Sequence, residues 1–230
     1  MPSQGPRFGA TITDNSGVGS IAWTNPTNAG ATDDAYTTIT FPSGAAAISH
    51  YLKVVNFKFG IPRNVQIQGI QVEVEKKSDT DGSDFMSDSE VKLVGGEGSI
   101  YDTDRSKTGS WSTTEGFVTY GGPRDLWGTT IWTSTLINDN RFGMVIAASV
   151  PSNSAQVIGS IDSVRITIFY DIPGGSGGGM KVSRTRKTTD YRIGKKTKKG
   201  WQVIGRLDGK LAGHMTKAAA LKAIKRGNKL

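Results

Sequence analysis

Residues 57–77 read FKFGIPRNVQIQGIQVEVEKK. They open with an aromatic pair, Phe57 and Phe59, and a turn at Gly60, Ile61 and Pro62. Apolar residues then recur at Val65, Ile67, Ile70, Val72 and Val74, with Gln66, Gln68, Gln71, Glu73 and Glu75 between them. Period two puts one set on a buried face and the other in water, which predicts a long antiparallel strand. The alternation slips by one residue at Gly69, and a glycine at a slip predicts a bulge that bends the strand. A long, bent strand with one polar face is an element of a β-sandwich.

Outward from this stretch, strands are expected at residues 36–41 (YTTITF), 51–59 (YLKVVNFKF), 91–94, 117–120, 142–150 (FGMVIAASV) and 161–170. Residues 121–132, GGPRDLWGTTIW, read as an aromatic loop leading into a further strand, and residues 76–90 as a charged loop. Many short strands with little helix between them predict a mainly β fold, an antiparallel jelly-roll-like β-sandwich over residues 21–172. The 30 glycines and 36% hydrophobic content fit a strand- and loop-rich body. Residues 1–20 are punctuated by Pro2, Gly5, Pro6, Gly9, Gly17 and Gly19. They read as an N-terminal arm, either disordered or ordered against a neighbouring chain. No apolar run follows Met1 and no segment approaches the ~20 apolar residues of a membrane span, so neither a cleavable signal nor a membrane partner is expected. With no cysteine, disulfides, thiolate metal sites and cysteine nucleophiles are excluded.

Charge divides the chain. Residues 180–230 hold 16 Lys and Arg against Asp190 and Asp208, a net +14; the first 179 residues hold 12 basic and 18 acidic residues, a net −6. Between the halves lies PGGSGGG, residues 173–179, a flexible Gly/Ser linker of a kind found in both natural and engineered joints. The basic part reads as a small β-hairpin-plus-helix module with strands at 191–193 and 201–207. Asp208-Gly209 is its expected hairpin turn into Lys210 and Leu211, and Thr216 and Gly227 would cap a helix over 217–226.

Each candidate chemistry competes with a plainer reading. The two histidines, His50 and His214, fall in different parts of the chain, so no Ser-His-Asp constellation is expected and no catalytic residue is assigned. Glu73 and Glu75 share the wet face of one strand. Asp79, Asp81, Asp84, Asp88 and Glu90 cluster around Gly82 without EF-hand spacing. They predict a solvated acidic loop, with no metal or cofactor site. Trp111, Trp127 and Trp132 lie in or near loops, where they could form a glycan-binding platform or plug the end of a sandwich. The sharpest signal is the basic set Arg184, Arg186, Lys187, Arg192, Lys195, Lys196, Lys198 and Lys199. Such a set would dock on phosphates without sequence preference, or on an acidic protein surface.

Trp23-Thr24-Asn25-Pro26, the turn at 57–62, Ile67-Gln68-Gly69-Ile70-Gln71-Val72, Tyr120-Gly121-Gly122, Leu126-Trp127-Gly128, Phe142-Gly143 and Ile161-Asp162-Ser163-Val164 form a set. Together, across residues 23–170, they resemble a β-sandwich domain of tailed-bacteriophage virion proteins. The resemblance implies a non-enzymatic structural protein, such as a capsid decoration, fibre or tail component. It implies partners among other virion proteins, a symmetric homo-oligomer such as a trimer, and a place in the virion after assembly in the host cytoplasm. A glycan-binding tail protein and a nucleic-acid-binding accessory protein are the alternatives.

Overall fold

The computed structural model describes residues 1–173, 190–197 and 200–208. Residues 174–179 of the expected linker, the expected helix at 217–226, and Arg184, Arg186, Lys187, Lys198 and Lys199 lie outside the described residues. Arg192, Lys195 and Lys196 fall on a strand described by its backbone. The chain divides into two units, Met1–Gly177 and Gly178–Leu230.

The first unit runs β1 (Ser3–Phe8), β2 (Thr11–Asn15), a 3-10 turn (Pro26–Ala29), β3 (Thr37–Phe41), β4 (Ala47–Ile48), β5 (Tyr51–Val55) and β6 (Gln66–Ser78). It continues with β7 (Ser87–Val94), β8 (Gly116–Gly122), a short helix α1 (Ser134–Asn138), β9 (Gly143–Val150) and β10 (Val157–Asp171). One sheet is ordered β1-β10-β6-β8 with β3 also on β10; the other is β2-β5-β9-β4 with β7 also on β9. All these pairings are antiparallel. From β5 to β10 each successive strand crosses to the other sheet, so the two sheets form a β-sandwich of jelly-roll character. Among the described residues no helix is long and apolar enough to cross a membrane.

The two long strands carry the structure. β6 and β10 pair from Gln66↔Asp171 to Ser78↔Gly159. The expected bulge is present: Phe169 faces Gly69, the next residue Tyr170 faces Ile67, and the register shifts between them. Glycine is required at the bend, because a Cβ on Gly69 would lie 2.3 Å from the Gly122 carbonyl oxygen. Inward residues Ile70, Val72 and Val74 of β6 meet Ile39, Phe41, Leu52, Val54, Leu93, Met144 and Ile146 in one core, all fully buried. Each such side chain contributes about 1.5–3 kcal/mol of burial free energy.

Residues 1–20 are not an arm. Ser3 and Phe8 of β1 pair with Phe169 and Arg165 of β10, and Thr11–Asn15 pairs with β5, so the N-terminus closes an edge of each sheet. Both strands cover only an edge, β1 exposing four of its six residues and β2 burying only Ile12, which is why no apolar alternation marks them. Gly5 and Pro6 sit at a register shift of β1, where a proline's missing N–H does not interrupt the ladder. The strand expected after residue 132 is replaced by α1, whose N-cap Thr133 accepts a bond from Leu136 N at 3.2 Å.

In the second unit, β11 (Asp190–Thr197) pairs antiparallel with β12 (Gly200–Asp208), Thr197 facing Gly200. The expected strands at 191–193 and 201–207 are therefore partners, and longer than their apolar cores. The reversal falls between Thr197 and Gly200, while Asp208 is the last residue of β12 and faces Asp190. The expected turn at Asp208-Gly209 into Lys210 and Leu211 lies, beyond Asp208, outside the described residues.

Candidate functional site

The alternation that buries Val72 and Val74 also turns Lys76 inward, leaving Glu73, Glu75 and Lys77 on the outer face of β6. Lys76 is 4% exposed and its partner Asp88, on β7 of the opposite sheet, 1%. The Lys76 ammonium donates to Asp88 Oδ1 and to the Tyr120 hydroxyl at 2.6 Å, and lies 4.2 Å from the centre of the Trp111 ring. Asp88 also accepts from Trp111 Nε1 at 2.8 Å, Tyr120 OH at 2.8 Å and Lys107 N at 3.1 Å. Burial pulls the Lys76 ammonium down to about 8, with Asp88 pushing it back up. Burial, then the Asp88 charge, push the Tyr120 phenol well above its usual range.

Above this pair opens a cleft of about 450 Å³, lined by Lys107, Ser110, Trp111, Thr114, Phe117 and Val118 among others. That volume lies within the range of small-molecule sites. A lysine with a lowered pKa at the floor of a cleft is also a form in which amine nucleophiles occur. Here the ammonium is committed to a carboxylate, a phenol and an indole face, and the carboxylate accepts from four donors. The arrangement is an electrostatic clamp between the sheets that also holds residues 107–111 down. The charged loop expected at 76–90 is shorter than that, because β6 continues through Lys76 to Ser78 and β7 begins at Ser87, so both members of the pair lie on strands. The available signal was parity, since Lys76 continues the inward set of β6.

The three tryptophans, read as either a glycan platform or a plug of the sandwich, are buried: Trp111 3%, Trp127 1% and Trp132 5% exposed. Burial corrects the platform alternative, because a sugar stacks on an exposed ring face, and agrees with the plug. The loops carrying these large rings fold back over the sandwich, and each indole N–H is used internally. Trp127 Nε1 donates to Ile70 O and Trp132 Nε1 to Leu126 O, both at 2.9 Å. Trp132 also packs edge-on against Tyr101 and Phe142, with ring centres 5.1 and 5.7 Å apart.

The acidic set divides: Asp79, Asp81 and Asp84 lie in the loop between β6 and β7, with Asp79 and Asp81 exposed, while Asp88 and Glu90 are on a strand, which corrects the reading for those two alone. Asp79 accepts from Ile158 N, Asp84 from Ser154 N and Ala155 N, and Glu90 from the Tyr51 hydroxyl. Asp88 and Glu90 belong to β7. His50 Nδ1 lies 2.8 Å from Asp14 Oδ2, bracing β5 against β2, while Asp14 Oδ1 takes the Trp23 N–H.

Asp125 holds the turn that delivers Trp127. It accepts from Trp127 N at 2.7 Å and forms a two-pronged pair with Arg105 at 2.8 and 3.0 Å. The Arg105 guanidinium, and then the Trp127 N–H, hold its carboxyl below the usual value against the opposing effect of burial. In the folded state Asp125 therefore binds protons less readily than when unfolded. Its stabilisation is present above the unfolded carboxylate pKa of about 4 and is lost as pH falls through the lowered folded value. Asp125→Asn is expected to lower the melting temperature at pH 7 and to shallow its fall below pH 4, as read by circular dichroism.

No protein family's sequence profile and no curated protein matches the chain. Solved structures do, at low identity. The N-terminal cellulose-binding domain of Cellulomonas fimi β-1,4-glucanase C is 11% identical with a TM-score of 0.33, the match covering 67% of this chain and 85% of that one. An arabinose-bound α-L-arabinofuranosidase is 10% identical with a TM-score of 0.35, over 69% of this chain and 23% of the other. An exo-β-agarase is 10% identical with a TM-score of 0.33, over 71% and 24%. The chain thus spans about a quarter of those two enzymes. At these scores the likeness carries no argument about this chain.

Proposed function

We propose that the chain is a non-enzymatic structural protein of a tailed-phage virion, a capsid decoration or similar accessory protein that docks on the particle and reinforces it. The observation that carries this reading is the partition of charge, +14 in residues 180–230 against −6 in the first 179. Within the body, Lys76, Lys77, Arg105, Arg141 and Arg165 are each paired with a carboxylate. The C-terminal segment has only two acids for its 16 basic residues, so its charge is available to an acidic partner. The body would supply a rigid mass and the basic segment a tether, and many copies on one particle would turn weak contacts into lasting ones.

Arg184, Arg186, Lys195, Lys196, Lys198 and Lys199 carry the docking on this reading. Replacing all six with glutamate is expected to abolish incorporation into particles and to leave the melting of the body unchanged. Incorporation at the wild-type level would remove the tether from the account. Retention by DNA alone, with a steep salt dependence, would make the segment a nucleic-acid binder instead.

A further inference from the structure

On the outer face of the β1-β10-β6-β8 sheet, away from the Lys76 clamp, three carboxylates converge. Asp34, Glu115 and Asp162 each place an oxygen within 4.8 Å of the others. The convergence comes from a second bulge. Ile161 faces Lys76 and Ser163 faces Glu75, so Asp162 is the extra residue of β10. Bulges re-aim side chains, and this one sends a carboxylate under the segment that leads into β3. That segment is pinned there by the Gly30–Ser163 bridge and by the Thr32 hydroxyl, 2.9 Å from Glu75 Oε2 and 3.0 Å from Ser163 Oγ.

The decisive atom is Asp162 Oδ2. Asp162 is 0% exposed, its Oδ1 accepts only a 3.4 Å bond from Asp33 N, and its Oδ2 has no hydrogen-bond partner among the described residues. A buried carboxylate oxygen without a donor is costly, and native structures rarely leave one. Among the described residues no basic side chain forms an ion pair with it. The one ammonium in the cluster, Lys77, lies 2.8 Å from Glu115 Oε2, an atom that also accepts from Tyr36 OH at 2.6 Å. Tyr36 OH in turn lies 3.2 Å from Asp34 Oδ1. Counting Glu75 and Asp33 beside them, five acids face one lysine.

From this geometry we infer a divalent-cation site, of calcium type, formed by Asp34, Glu115 and Asp162. Calcium accepts carboxylate oxygens at 2.3–2.6 Å in flexible arrangements and keeps water in its remaining positions, which suits three acids on three separate segments. The ion would satisfy Asp162 Oδ2 and fasten the segment before β3 to the starts of β8 and the β10 bulge. Lys77 and Tyr36 hold Glu115 through Oε2 alone, leaving Oε1 for the ion. Asp34, exposed at the rim, is the ligand through which the ion would enter.

The test uses the full chain after chelator treatment. Calcium chloride is expected to raise its melting temperature in a saturable way, with affinity in the ~10⁻⁴–10⁻³ M range of sites with few ligands. Terbium should give luminescence on tyrosine excitation, through Tyr36, and calcium should displace it. Asp162→Asn keeps the shape of the side chain, and Asp34→Asn alters an exposed residue, so both variants should fold. Each is expected to weaken calcium binding at least ~10-fold, the loss expected for a removed charged ligand. A melting temperature that does not respond to calcium would overturn the inference. So would a response that sodium chloride reproduces at equal ionic strength, or one unchanged in Asp162→Asn.

Discussion

Lys76→Met is expected to destabilise the body by about 3–5 kcal/mol, seen as a lower urea midpoint with an unchanged slope. Methionine fills much of the same volume, so the loss is electrostatic. It strands the Asp88 carboxylate, 1% exposed, without a counter-charge. The remaining donors from Trp111, Tyr120 and Lys107 satisfy its oxygens but do not neutralise it. Lys76→Met/Asp88→Asn removes both charges and keeps an oxygen for Trp111 Nε1, so it should recover most of the loss. A double variant no better than the single one would show that packing, and not charge, sets the effect.

Trp127→Ala is expected to cost about 3–5 kcal/mol, the range for a large aromatic removed from a packed interior. The ring is 1% exposed, and its N–H satisfies the Ile70 carbonyl in the bent middle of β6. Trp127→Phe separates the two contributions. It refills much of the cavity but leaves Ile70 O without the indole donor, for about 1–3 kcal/mol. Thermal or urea unfolding reads both variants. The opposite pattern, unchanged stability with lost affinity for a glycan, belongs to an exposed platform and would contradict the burial described here.

Legibility in the sequence followed burial and period. β6 and β9 were readable because one is half-buried with an alternation broken only at Gly69 and the other is almost continuously apolar. The Gly69 bulge was readable because a glycine coincided with the slip. The β10 bulge leaves the same slip, from Ile161 to Val164 across Asp162 and Ser163, but no glycine marks it. β1 and β2 gave no pattern, because at the sheet edges β1 buries no residue fully and β2 only Ile12. Lys76, Asp88 and the three indoles share a further difficulty. Residue type marks them as surface or loop groups, and only the partner across the sandwich makes them interior. Nothing local distinguishes Asp88, which closes a buried ion pair, from Asp84, which accepts from Ser154 and Ala155 at the surface.

The most direct measurement is co-sedimentation of the full chain and of residues 1–173 with empty particles, and separately with DNA, across a salt series. The account predicts that the full chain pellets with empty particles and holds at moderate salt, and that the truncated body, which contains the whole sandwich core, stays in the supernatant. Pelleting of residues 1–173 as efficiently as the full chain, or retention of the full chain by DNA alone, would contradict it.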